Sequence, residues 1–225
     1  MAERTTQIIY GRRAVAEAKR GRRRVRKQWT AADLAHEELS RIAGSPDHQG
    51  FVAEVDPYPY ADPNSLLAAD DALVVALDQV QDPHNLGAVA RSAEAAGAAG
   101  LVVPERRAAS VSAVACKSSA GAVEHLSVAR VTNLADWLAR AKDEGAWIYG
   151  TEAGAETLYS DTELSGKIVL VLGSEGKGLR PRVAEACDVL VSVPVRGRVA
   201  SLNVSAAAAV LLVEVVRQRG GAGND

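Results

Sequence analysis

The chain has 225 residues, 48% of them hydrophobic and 24% charged, with a formal net charge of −2. That apolar fraction excludes whole-chain disorder, and the length allows one large domain or a medium one with a small companion. Cys116 and Cys187 are too few and too far apart for a disulfide scaffold or a zinc module, no apolar run reaches the roughly 18 residues of a membrane span, and MAERTTQIIYGRR is too charged for a signal peptide, so a cytoplasmic protein is expected.

Charge is unevenly spread. Residues 10–30 hold Arg12, Arg13, Lys19, Arg20, Arg22, Arg23, Arg24, Arg26 and Lys27 against Glu17 alone, about +8, which leaves about −10 for the remainder. Such an arm on an acidic body points to a polyanion partner, RNA or DNA; a solvated basic helix end reads equally well from charge alone.

In chain order, residues 8–21 read as a helix stopped by Gly21, and 30–43 as a second helix capped by Thr30 and stopped by Gly44. FVAEV (51–55) has strand character. DPYPYADPN (56–64) carries three prolines and no periodicity, so it reads as linker. From residue 72 apolar runs alternate with helical stretches. Strands are expected at 72–78, 100–104, 125–131, 147–152, 167–173 and 188–194, and helices at 85–97, 111–121, 133–145, 180–187 and 203–219. This alternation predicts an α/β fold with a mainly parallel sheet covered by helices on both faces, and ligands then bind at the carboxyl ends of the strands. The tail GGAGND is expected to be disordered.

Three strand ends carry glycine and polar residues. In LDQVQDPHNLGAVARSAEAAG (77–97), Asn85 can cap the following helix, and Arg91 lies under two turns further on. A cation so near a helix start opposes the dipole, which a bound anion would offset; a plain cap and a surface arginine are the bland alternatives. In LVLGSEGKGLRP (170–181), Gly173, Gly176 and Gly178 let backbone approach a ligand, but the order G-x-x-G-x-G is neither phosphate-loop pattern, and Glu175 would repel a triphosphate. In VSVPVRGRVASLNVSAAAAV (191–210), Ser201 or Asn203 can cap a helix of very small residues.

Taken together and in this order, the three segments resemble the motifs of the SpoU (TrmH-like) family of RNA ribose 2′-O-methyltransferases, within the SPOUT class. The resemblance covers about residues 72–218. GRRAVAEA and HQGFVAEV also resemble the small substrate-binding domain that precedes the catalytic domain in the 23S rRNA guanosine branch, here shortened. The resemblance implies a shortened α+β RNA-binding domain over 1–56, a linker over 57–69, a catalytic domain over 70–219 with a deep C-terminal trefoil knot, and a disordered tail over 220–225. It implies S-adenosylmethionine as cofactor, held by Leu172, Gly173, Gly176, Val193, Ser201, Leu202 and Asn203. It implies Arg91, Asn85, Glu175, Ser201 and Asn203 as catalytic residues and Arg12, Arg22, Arg23, Arg24 and Arg26 as RNA contacts. A homodimer is expected, with no metal and no membrane. The expected reaction methylates the ribose 2′-hydroxyl of a guanosine in 23S ribosomal RNA. A tRNA ribose methyltransferase and a catalytically silent RNA-binding protein stay open as alternatives.

Overall fold

The computed structural model of the chain describes residues 6–174 and 176–220. Its first part is a three-stranded antiparallel sheet in the order β1-β3-β2, formed by β1 (Gln7–Tyr10), β2 (Val25–Thr30) and β3 (Phe51–Val55), with helices α1 (Arg12–Ala18) and α2 (His36–Ala43). This differs from the helix expected over 8–21. Ile8 and Ile9 favour extended backbone and pair with Glu54 and Ala53, and Gly11, at φ +103°, breaks the chain before the helix can start. The helix expected over 30–43 starts only at His36. Thr30 does not cap it; its hydroxyl donates to Asp33 instead, while Gly44, at φ +66°, ends the helix as expected. The basic run, to which the sequence reading assigns no element between residues 22 and 29, contributes β2.

The second part is a seven-stranded, wholly parallel sheet with helices on both faces. It is built from β4 (Leu73–Asp78), α3 (Pro83–Ala95), β5 (Gly100–Pro104), α4 (Ala113–Ser118), β6 (Ser127–Val131), α5 (Leu134–Asp143), β7 (Trp147–Thr151), β8 (Thr157–Leu158), β9 (Ile168–Gly173), α6 (Pro181–Glu185), β10 (Val189–Ser192) and α7 (Val204–Gln218). Every strand the sequence predicts here is present; the two-residue β8 is the addition. β4 shows why its residues form a central strand. Leu73, Val75 and Leu77 pack with Leu86, Val89 and Leu211 on one face, and Val74 and Ala76 with Trp137, Leu138 and Val183 on the other. Burying each large aliphatic side chain contributes about 1.5–3 kcal/mol, so a strand apolar on both faces is stable only at the sheet's centre.

Strand order is β6-β5-β4-β9-β7-β10-β8. The chain therefore leaves β7, adds β8 beyond β10, returns to β9 on the other side of β7, and crosses β7 again to make β10. The loops after β7, β9 and β10 consequently meet at one carboxyl edge.

Residues 57–69 do not run free. Tyr58 is buried and its hydroxyl donates to the carbonyls of Val123 (3.0 Å) and Leu126 (2.8 Å), and Leu66 and Leu67 are buried. Ile9, Val15 and Val55 share one apolar core with Cys116 and Val123, so the small sheet and the large one are packed through a common interior. The tail from residue 221, expected to be disordered, lies outside the described residues.

Candidate active site

A cavity of 480 Å³ lies at the carboxyl ends of β7, β9 and β10, closed by the start of α7. Its wall includes Leu172, Gly173, Gly176, Val193, Ser201 and Leu202, so six of the seven residues expected to hold a cofactor line one space. The seventh, Asn203, does not line it.

The glycines after β9 have two separate causes. A Cβ on Gly173 would stand 2.2 Å from the carbonyl carbon of Gly178, so the backbone crossing itself excludes a side chain there. Gly176 (φ +77°) and Gly178 (φ +65°) sit in the left-handed region. The turn they make is closed by the Gly178 amide donating to the Ser174 carbonyl at 3.0 Å. Behind the loop, Asp78 is fully buried at the end of β4. Its carboxylate accepts from the Arg180 amide (2.8 Å) and from the Arg180 guanidinium (2.7 Å). Sequence reasoning missed this clamp; the available signal was a carboxylate ending the apolar run ALVVALD. Ser192 closes the other side by donating to the Ala155 carbonyl at 2.8 Å.

A second cavity of 280 Å³ adjoins the first and shares Ser174 and Val204 with it. Asn85 lines this one. Asn85 does not cap α3. Asp82 does, accepting from the His84 amide at 2.8 Å, because Pro83 takes the first helical position and shifts the cap upstream of Asn85. The side chain of Asn203 caps α7 by accepting from the Ser205 amide at 2.8 Å, and its Nδ2 donates to Asn85 Oδ1 at 3.1 Å. The first and third sequence segments are thus joined side chain to side chain. Ser201 lines the first cavity rather than capping α7.

Arg91 is exposed on α3 and lines neither cavity. It sits about 9 Å along the helix axis from Asn85 at 1.5 Å per residue. Glu175 lies outside the described residues.

The expected RNA arm divides. Arg12, Arg22 and Arg24 are exposed; Arg12 lies over the Phe51 ring at 5.3 Å and Arg22 donates to the Ser127 hydroxyl at 3.0 Å. Arg26 is paired with Asp56 at 2.5 Å. Arg23 corrects the expectation. It is 4% exposed, and its guanidinium pairs with the buried carboxylate of Glu124, donates to Gln7 and reaches the Cys116 sulfur at 3.3 Å. Burial is the largest single influence and lowers the Arg23 pKa, but the hydrogen bonds and charge interactions with Glu124 and Cys116 together outweigh it and the value rises. The Cys116 thiol is pushed up to about 12 by burial, so it packs as a neutral group. Arg23 therefore joins the two sheets and is not available to a ligand.

Among the described residues, no group of three or more His, Cys, Asp or Glu is placed to hold a metal ion, and no helix is long and apolar enough to cross a membrane.

A doubly covered parallel sheet with a glycine-walled cavity at its carboxyl edge defines an α/β protein that takes a small ligand among main-chain loops. The chain belongs to the SpoU rRNA Methylase family, whose model matches residues 72–213. A Mycobacterium ulcerans protein named as an uncharacterized tRNA/rRNA methyltransferase is 47% identical over 83% of this chain. The chain spans 62% of that relative's length. The crystal structure of the SpoU methyltransferase AviRb from Streptomyces viridochromogenes, in complex with the cofactor AdoMet, is similar at 29% identity and a TM-score of 0.80, covering 97% of this chain and 92% of that one. The crystal structure of an RNA 2′-O ribose methyltransferase is similar at 27% identity and a TM-score of 0.81, covering 96% and 89%.

Proposed function

We propose that the chain transfers a methyl group from S-adenosylmethionine to a ribose 2′-hydroxyl of RNA. The observation that carries this reading is the Asn85–Asn203 bond beside two adjoining cavities, one glycine-walled and one polar. The first cavity fits the cofactor. Its volume falls within the range of small-ligand sites, Leu172, Val193 and Leu202 offer an apolar wall for an aromatic base, and Gly173 and Gly176 leave main-chain groups reachable. When bound, S-adenosylmethionine supplies an electrophilic methyl group. Support for the cofactor and for ribose chemistry comes from the two structural neighbours named above.

Asn85, Asn203 and Ser201 position the nucleotide between the cavities, together with Glu175. Arg91 acts by charge: a guanidinium stays protonated at any physiological pH, so it stabilises the developing alkoxide and orients the phosphate rather than removing the proton. Its place on α3 goes with the homodimer in this reading. Val213 on α7 is 68% exposed and Val216 is 37% exposed, aliphatic surface suited to a second copy on a helix that packs against α3, and Arg91 then serves a site shared by two chains.

The small three-stranded unit over 1–56 selects the RNA, with 57–69 joining it to the catalytic part over 70–219, and the loops 171–178 and 193–203 make the family's knotted passage. The substrate in this reading is a guanosine of 23S ribosomal RNA in the cytoplasm. The mixed tRNA/rRNA naming of relatives keeps a tRNA ribose as the second reading. The test is incubation with labelled S-adenosylmethionine and either total rRNA or total tRNA, followed by mapping of the methylated ribose. Label at one 2′-oxygen in rRNA is expected. Label only in tRNA selects the second reading, and label on a base or on neither RNA overturns the assignment.

A further inference from the structure

The second cavity contains polar groups that the proposed reaction does not use. Gln79 and Gln81, from the β4–α3 connection, line it together with Asn85 on α3 and Lys177 from the loop after β9. Gln79 adopts φ +59°, a conformation that glycine takes freely and side-chain-bearing residues take at a cost. The turn around it is pinned on both sides: Asp78 by the Arg180 clamp, and Val80 by its carbonyl accepting from the Ala109 amide at 2.8 Å. A turn needing only this backbone shape is best served by glycine. The residue found there in the cavity lining is instead glutamine, which brings a primary amide to this turn in spite of the strain.

A primary amide presents one donor face and one acceptor face side by side. That pair matches a base edge carrying an adjacent acceptor and donor, and unpaired RNA bases are commonly recognised on such edges. We infer that Gln79 and Gln81 are specificity-determining residues that read the base of the target nucleotide, with Lys177 neutralising a neighbouring phosphate. The inference rests on the ribose methyltransferase reading, because only there does a nucleotide have to lie against both Asn85 and the cofactor cavity.

The experiment uses the full chain and four short RNAs carrying the mapped target site, differing only in the base at the methylated position. kcat/KM is measured on each RNA for the unaltered protein, Gln79→Gly and Gln81→Ala. Gln79→Gly relieves the strained backbone, so its thermal midpoint should equal or exceed that of the unaltered chain; a merely structural Gln79 would then be replaceable without effect. The expected result is a clear base preference in the unaltered protein that narrows about tenfold or more in each variant, the scale of one lost base-edge contact. Unchanged preference in both variants overturns the inference while leaving the reaction standing, as does an unaltered protein with no base preference. Absence of ribose methylation by the unaltered protein overturns both.

Discussion

Asn203 Nδ2 donates to Asn85 Oδ1 at 3.1 Å, joining residues 118 positions apart in the chain. The same Asn203 side chain caps α7 through the Ser205 amide. One residue therefore both starts a helix and locks the third segment to the first. Asn203→Ala removes both roles. It is expected to lower stability by about 1 kcal/mol, the usual scale of a lost cap, and to lower methyl transfer by more than that loss explains. Asn203→Ser keeps the cap and loses the donor to Asn85. Thermal midpoints and turnover together separate the roles: Ser should restore the midpoint and leave the rate low.

Arg91 is the residue on which the chemistry of the reading depends most. Arg91→Ala is expected to abolish methyl transfer while the affinity for S-adenosylmethionine, measured by calorimetry, changes less than threefold (about 0.65 kcal/mol at RT of 0.59 kcal/mol), since Arg91 lines no part of the cavity proposed for the cofactor. An active Arg91→Ala protein removes the arginine from the mechanism.

Gly173 allows a sharper test of the cavity. Its missing Cβ is occupied by the Gly178 backbone, which has no flexible end to swing aside. Gly173→Ala must therefore shift the Gly178 backbone, which lines the first cavity with Gly173. The expected outcome is at least a tenfold loss of cofactor affinity with the sheet intact by circular dichroism. Unchanged affinity would place the cofactor elsewhere.

Much of this was legible in the sequence, and the misses have physical causes. The strands of the large sheet are apolar on both faces, so length and composition marked them. The small sheet is harder. β1 is four residues long and runs at once into a helix, and β2 is an edge strand whose outer positions are charged, so its apolar alternation is weak. Gly11 was the usable signal, a glycine between β-branched residues and a helical pattern. Arg23 could not be told from Arg22 and Arg24 by sequence, since its burial depends on a carboxylate 101 residues away. Asp78 and Arg180, 102 residues apart, are the same kind of pair.

That buried pair yields a stability prediction. Arg23 and Glu124 are both almost fully enclosed between the two sheets. Removing one partner leaves an uncompensated charge in the interior, which typically costs roughly 3–5 kcal/mol. Glu124→Leu and Arg23→Met should each lower the unfolding free energy on that scale. Replacing both together, Arg23→Met with Glu124→Leu, should recover a large part of the loss. Denaturant unfolding of the four proteins measures the coupling. Two singles with losses that add fully in the double would show that the charges do not depend on each other.

The remaining basic residues carry the RNA prediction, and the structure narrows it. Arg23 is spent on Glu124 and Arg26 on Asp56, so the net charge of about +8 over residues 10–30 overstates what RNA meets. Arg12, Arg22 and Arg24 are exposed. Counterion release makes the logarithm of RNA affinity fall with the logarithm of salt, by about 0.7 for each phosphate neutralised on a single strand. Arg12→Gln, Arg22→Gln and Arg24→Gln together should therefore reduce that slope by about 2. Arg26→Gln alone should change it by less than one of these, because Asp56 already offsets its charge. A triple variant with the unaltered slope would make this face a solvated surface and move RNA selection to another part of the chain.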